Sequence, residues 1–273
     1  MTATTTSEPT RTGGVRALYS GNAGAVLGRG LLAARSSTWV VVVSGFFEPV
    51  FFLLAMGVGL GTYIGDVALP SGREIPYAAY IAPALLAVSA MNGAVYDSTW
   101  NVFFKMHFGK LYQAMMATSL GPLDVALGEI GYALLRGVVY ATGFLTVMQL
   151  MGLNLSWTAI LTLPAVLLIA FGFASLGMAV TSYMSTFQQM DWINFVLLPM
   201  FLFSATFFPL SVYPEPLQWL IQALPLWHGV ELIRGLTTGE LDGATAVHVG
   251  YYAALVAIGV VVTTRRLRAL FLD

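Results

Sequence analysis

Between Gly137 and Met190 the chain carries no charged side chain. Such a stretch is far longer than the roughly 20 apolar residues that cross about 30 Å of hydrocarbon. It must hold parts of more than one membrane span, and the polar step from Asn154 to Trp157 divides it. Lipid offers no partners to a peptide backbone, so a crossing segment must be a helix or part of a closed barrel. Barrel strands alternate apolar and polar residues over about ten positions. The run from Pro164 to Val180 is apolar on every face, so helices are expected.

The same reasoning finds the other spans. Trp39 to Leu60 is broken only by Glu48, and Ile75 to Tyr96 is uncharged. A third span begins near Pro122, and its first half contains Asp124, Glu129 and Arg136. The fourth lies after Trp157, Trp192 to Pro214 gives a fifth, and Gly243 to Thr264 a sixth. The expected fold is all-α, a polytopic membrane protein with six transmembrane helices. Hydrophobic residues make up 58% of the chain and charged residues 9%. A soluble domain is about a quarter charged, so residues 15–273 read as one membrane domain. Residues 1–14 read as a disordered cytosolic tail, because Met1 to Thr12 is rich in Thr and lacks the apolar core of a cleavable signal. A net charge of −1 gives no reason to expect a nucleic-acid partner. The absence of cysteine excludes disulfides and thiolate metal sites.

Orientation follows the excess of Lys and Arg on the cytosolic side. Arg11, Arg16, Arg29 and Arg35 precede the first span, Lys105 and Lys110 lie between the second and third, and Arg265, Arg266 and Arg268 follow the sixth. The opposite side has Arg73 and Arg234, a ratio of nine to two. Both termini are therefore expected in the cytoplasm of a cell-membrane protein. Val15 to Arg35 mixes Leu with Arg, and reads equally as an interfacial amphipathic helix or as an extension of the first span. Ile221 to Val230 is apolar, contains Pro225 and is too short to cross, which suits a re-entrant or interfacial helix on the outer side.

Catalytic and metal-binding constellations are not legible. No GxxxxGK[ST] phosphate loop exists, and His107, His228 and His248 are scattered, so no metal site and no enzyme activity are expected. Glu48, followed by Pro49, lies roughly 14 Å into the first span at about 1.5 Å per residue. A charge at that depth is costly and wants a partner. It reads either as a polar element of a transport path or as a buried structural pair, with Arg136 as a candidate. Glu129 and Arg136, seven apart, are too distant for a direct pair and face other helices or snorkel. Asp97 and Asp191 read as span-boundary markers. Leu111, Ala114, Met115 and Thr118 recur at helical spacing in the loop from Asn101 to Gly121. A short Met-rich helix there suits docking into a partner's groove, or resting on the lipid interface.

This loop is similar to the region after the second span in membrane subunits of type-2 ABC exporters. Gly109, Leu111, Thr118, Leu120 and Pro122 match the family's pattern around a cytosolic coupling helix, with Ser119 where a proline is usual. The stretch from Phe207 to Gly239 resembles the signature before the last span, through Phe207, Phe208, Pro209, Leu210, Pro214, Leu217, Pro225, Leu226, Val230, Glu231, Arg234 and Gly239. The resemblance covers nearly the whole chain. It is nearest to the nodulation-factor-exporter and daunorubicin-resistance-like permeases, an impression strengthened by Gly128 to Gly137.

The resemblance implies a permease subunit that pairs with a second copy or a homologous permease. Each copy would dock on a separate ATP-binding subunit, which would hold the ATP and Mg. It assigns Gly109, Lys110, Leu111, Tyr112, Ala114, Met115 and Thr118 to the coupling helix. It assigns Phe208, Pro209, Pro214, Pro225, Glu231 and Arg234 to an outer gate hairpin. Phe and Met abound in the spans, and adaptable apolar surfaces suit amphipathic or hydrophobic cargo. Glu48, Phe51, Phe52, Asn92, Phe203 and Phe207 are the candidate substrate path. A polysaccharide or glycolipid cargo, and a non-transporting assembly factor, are the rival readings.

Overall fold

The computed structural model describes residues 18–34, 47 and 49–272. The expected tail (1–14), the start of the first expected span (39–46) and Glu48 lie outside the described residues.

Among the described residues, four helices are long and apolar enough to cross a membrane: α3 (Tyr77–His107), α5 (Pro122–Leu150), α6 (Trp157–Thr181) and α10 (Gly243–Phe271). α3 is the axis of the bundle: 78% of its apolar window is buried inside the protein, against 17% for α10. α10 thus lies on the rim, with one face on α6. Small residues bring these helices together. A methyl group at Gly172 would sit 2.6 Å from the Tyr252 ring, and one at Gly259 would sit 2.6 Å from Ser175 Oγ. Gly177 leaves room for Ser98 of α3 in the same way. In lipid, where apolar surface gains nothing from leaving its solvent, such close approach is the main source of helix association.

The fifth expected span is shorter than the sequence suggests, and of the first only the part from Pro49 onward is described. α2 is described from Pro49 to Ile64. It is π-helical over Leu53–Leu60, where a methyl group at Gly57 would sit 3.2 Å from the Ala78 side chain of α3. The fifth, α7 (Asp191–Phe203), has 13 residues, about 20 Å at 1.5 Å per residue. It ends because Ala205 takes a left-handed φ of 53°, and the chain turns away before Pro209.

A second departure concerns the short segments. A two-stranded antiparallel ribbon, β1 (Asp66–Ala68) and β2 (Glu74–Pro76), joins α2 to α3, so the fold is mainly rather than wholly helical. The expected re-entrant helix is two helices, α8 (Glu215–Ala223) and α9 (Pro225–Thr238). Pro225 opens α9, where its missing N–H costs nothing. α1 (Ala23–Ala34) packs along α5, with Val26 against Gly128. The loop helix is α4 (Leu111–Met116).

Candidate functional site

A groove of about 800 Å³ opens between α2, α3, α5 and α7. Its lining is largely apolar, with Phe52, Leu85, Leu197 and Phe201, and Ser89, Asn92, Asn194 and Arg136 are among the residues that add polar groups. Arg136 Nη1 donates to Asp97 Oδ1 at 2.9 Å, and Asn101 Nδ2 donates to the same oxygen at 2.7 Å. Asp97 is buried, so its reading as a boundary marker is corrected. α3 is π-helical over Asp97–Asn101; a wide turn of this kind re-aims side chains and recurs at functional sites. Here it delivers a carboxylate to a helix whose interior carries a guanidinium. The described partner of Arg136 is thus Asp97, a residue the sequence marked only as a span boundary.

Of the candidate substrate path, Phe52 and Asn92 line the groove. Phe207 is buried behind it, edge-on to Phe201 at 5.2 Å, and Phe201 meets Phe52 at 5.9 Å. Phe51 stacks on Phe47 at 5.6 Å and Phe203 lies beside Tyr213, both exposed and outside the groove lining.

At the end of the bundle nearest α4, one buried carboxylate gathers three elements. Glu129 of α5 meets Arg29 of α1 at 3.2 Å and Lys105 of α3 at 2.5 Å. Five residues earlier, Asp124 closes the capping box of α5. It accepts from the N–H groups of Ser20 at 2.8 Å, Asn22 at 2.8 Å and Gly121 at 2.9 Å. The two acids pin the start of α5 to the segment carrying α1. Between them α4 turns in after Lys110, which adopts a left-handed φ of 47°.

A helix stands where the coupling helix was expected, Leu111–Met116, but its Met face is turned inward. Tyr112, Met115 and Met116 are buried, and burial holds the Tyr112 phenol well above its ordinary pKa. Leu111 is half-buried, whereas Gly109, Lys110, Ala114 and Thr118 are exposed. Apolar side chains on so short a helix are used to anchor it, so the outward face consists of small and polar groups beside Phe104 and Phe108. The Met residues are therefore not available for docking.

The expected gate hairpin centres on Arg234, which is buried. Its Nη2 donates to Ala205 O at 2.9 Å, its Nη1 meets Glu231 at 2.5 Å, and its guanidinium lies 4.0 Å from the centroid of the Tyr80 ring. One side chain thus ties α9 to α3 and to the left-handed residue that ends α7. Pro214 and Pro225 open α8 and α9, Pro209 precedes a 3-10 turn, and Phe208 stays half-exposed. Arg73 of the ribbon loop donates to Thr238 O at 2.6 Å.

A multi-pass helical membrane protein with a laterally open groove at one level and a short surface helix locked to its bundle is the class these features define. Residues 23–237 match the model of the ABC-2 type transporter family. The chain belongs to that family, a transport component of membranes. Among its relatives are three proteins called nodulation protein J. That of Rhizobium leguminosarum bv. viciae is 29% identical over 89% of this chain and 93% of its own length. That of Sinorhizobium fredii is 32% identical over 82% and 84%. That of Bradyrhizobium diazoefficiens is 31% identical over 83% and 85%.

Proposed function

We propose that the chain is the permease subunit of an ATP-driven exporter that moves an amphipathic or hydrophobic compound out of the cytoplasm. A separate ATP-binding subunit supplies the energy, and a second copy or a homologous permease completes the path. In this reading α2 and α7 belong to the first and fifth of six spans, and the basic ends of the chain face the cytosol. The observation that carries it is the exposed knuckle from Gly109 to Thr118, anchored inward by Tyr112 and flanked by the Glu129 ion pairs. A surface helix free to drift could not pass force to the spans. One locked to α3 and α5 moves them when a partner moves it, so a partner's movement can bias the arrangement of the spans.

The groove supports the cargo class. Its apolar lining suits an alkyl or aromatic body, and its one guanidinium is already neutralised by Asp97. A glycolipid is the second reading, favoured by the amides of Asn92 and Asn194 and the hydroxyl of Ser89.

Reconstitution with a candidate ATP-binding subunit tests the proposal. Ala114→Arg places a bulky cation on the exposed face of α4. It is expected to lower capture of that subunit at least tenfold without changing the melting temperature of the permease. Unchanged capture would reject the docking role. Alkyl glycosides and alkyl amines of equal chain length, compared as stimulators of ATP hydrolysis, separate the two cargo readings.

A further inference from the structure

His228 and His248 look unrelated in the sequence, yet their Nδ1 atoms lie 2.8 Å apart. Both are buried, one on α9 and the other near the start of α10. Tyr251 stacks on His228 with ring centroids 3.9 Å apart, and Trp227 flanks both imidazoles at 4.9 and 5.2 Å. We propose that the pair is an acid-released clasp fastening α9 to α10.

The chemistry of the contact sets its response. A neutral pair needs one Nδ1 to carry a hydrogen and the other to present a lone pair. A first added proton goes to a free Nε2, and the contact survives. A second proton puts hydrogen on both Nδ1 atoms, and two donors then face each other without an acceptor. The surroundings do little to offset that charge. Glu231 and Asp242 are the charged groups that act on the pair, and Glu231 is already engaged by Arg234. Tyr251 and Tyr252 add only phenols, on the α8 side the Gln222 carbonyl accepts from the His228 ring, and α6 has no charged residue. Burial, and then the neighbouring imidazole, push His228 down to about 4. A histidine held below its ordinary value contributes fully at neutral pH, and its contribution is lost as pH falls through the folded value.

The clasp lies at the end of α10 opposite Arg265, Arg266 and Arg268, roughly 25 Å away at about 1.5 Å per residue. If the basic tail is cytosolic, as the proposed orientation has it, the outer medium titrates the pair. The clasp itself does not depend on that orientation or on transport.

Trp227 provides the measurement. The full chain in lipid nanodiscs, which expose both faces, is titrated from about pH 7.5 to about pH 4, across the ordinary imidazole value near 6.5. The Trp227 signal is taken as the difference between the parent and Trp227→Phe. The expected result is a reversible red shift on acidification as α9 parts from α10. His248→Asn puts an amide oxygen and an amide N–H where the imidazole edge was, and so suits His228 in either protonation state. It is expected to match the parent at neutral pH and to lose the acid transition. His228→Asn makes the same comparison from the other side if His248→Asn does not fold. A parent signal that stays constant with pH, or an identical transition in the Asn variants, would overturn the proposal.

Discussion

Asp97 and Arg136 show what one residue can decide inside a membrane. Neither charge is affordable alone in hydrocarbon, and together they make a neutral unit that the groove tolerates. Asp97→Ala leaves the guanidinium without its counter-ion. Breaking a buried pair costs about 3–5 kcal/mol, and thermal unfolding in detergent should register most of that. The double variant with Arg136→Met should recover most of the loss, since it removes the orphaned charge too. A double variant as unstable as the single would contradict the pairing. Glu129 is a milder case, because Arg29 and Lys105 are 36% and 24% exposed and water screens them. Glu129→Gln should therefore cost stability by only about 1 kcal/mol, yet loosen the tie between α1, α3 and α5. A full loss of folding would show that the cluster is a structural core and not a joint. The intramembrane charges were visible in the sequence at once. Their partners were not, because Asp97 finds Arg136 across helices and through a π-helical turn that no periodicity announces.

At the scale of the element, glycine positions govern the contact of α6 with α10. Gly172 and Gly259 face side chains that a larger residue would displace. Overpacking a tight interface costs about 1–3 kcal/mol, so Gly259→Leu should lower the melting temperature in detergent. Gly250→Leu on the same helix, where nothing stands within 4 Å, should not. Equal effects would mean that helix propensity, not packing, is being measured. The long helices were legible because hydrophobic length alone defines them. α7 was overread, since its apolar pattern continues past Phe203 while the backbone at Ala205 does not. α4 was found by its spacing, but the inward turn of its Met residues was not legible. A six-residue helix is too short for its pattern to tell which face is buried. The short β ribbon before α3 left no signal beyond its turn residues.

In the proposed function the whole molecule works as a lever. The knuckle from Gly109 to Thr118 sits at one end, Arg234 and the histidine pair hold α9 at the other, and the groove with Arg136 lies between them. Its membrane character and family were readable from composition and two motifs, whereas the tertiary joints required coordinates. The most direct test of the central claim is uptake of a fluorescent amphiphile into inside-out vesicles holding the chain and the proposed ATP-binding subunit. Uptake should require ATP and fall at least tenfold with Ala114→Arg, although the permease remains folded. Uptake that proceeds without the ATP-binding subunit, or that ignores Ala114→Arg, would contradict the account.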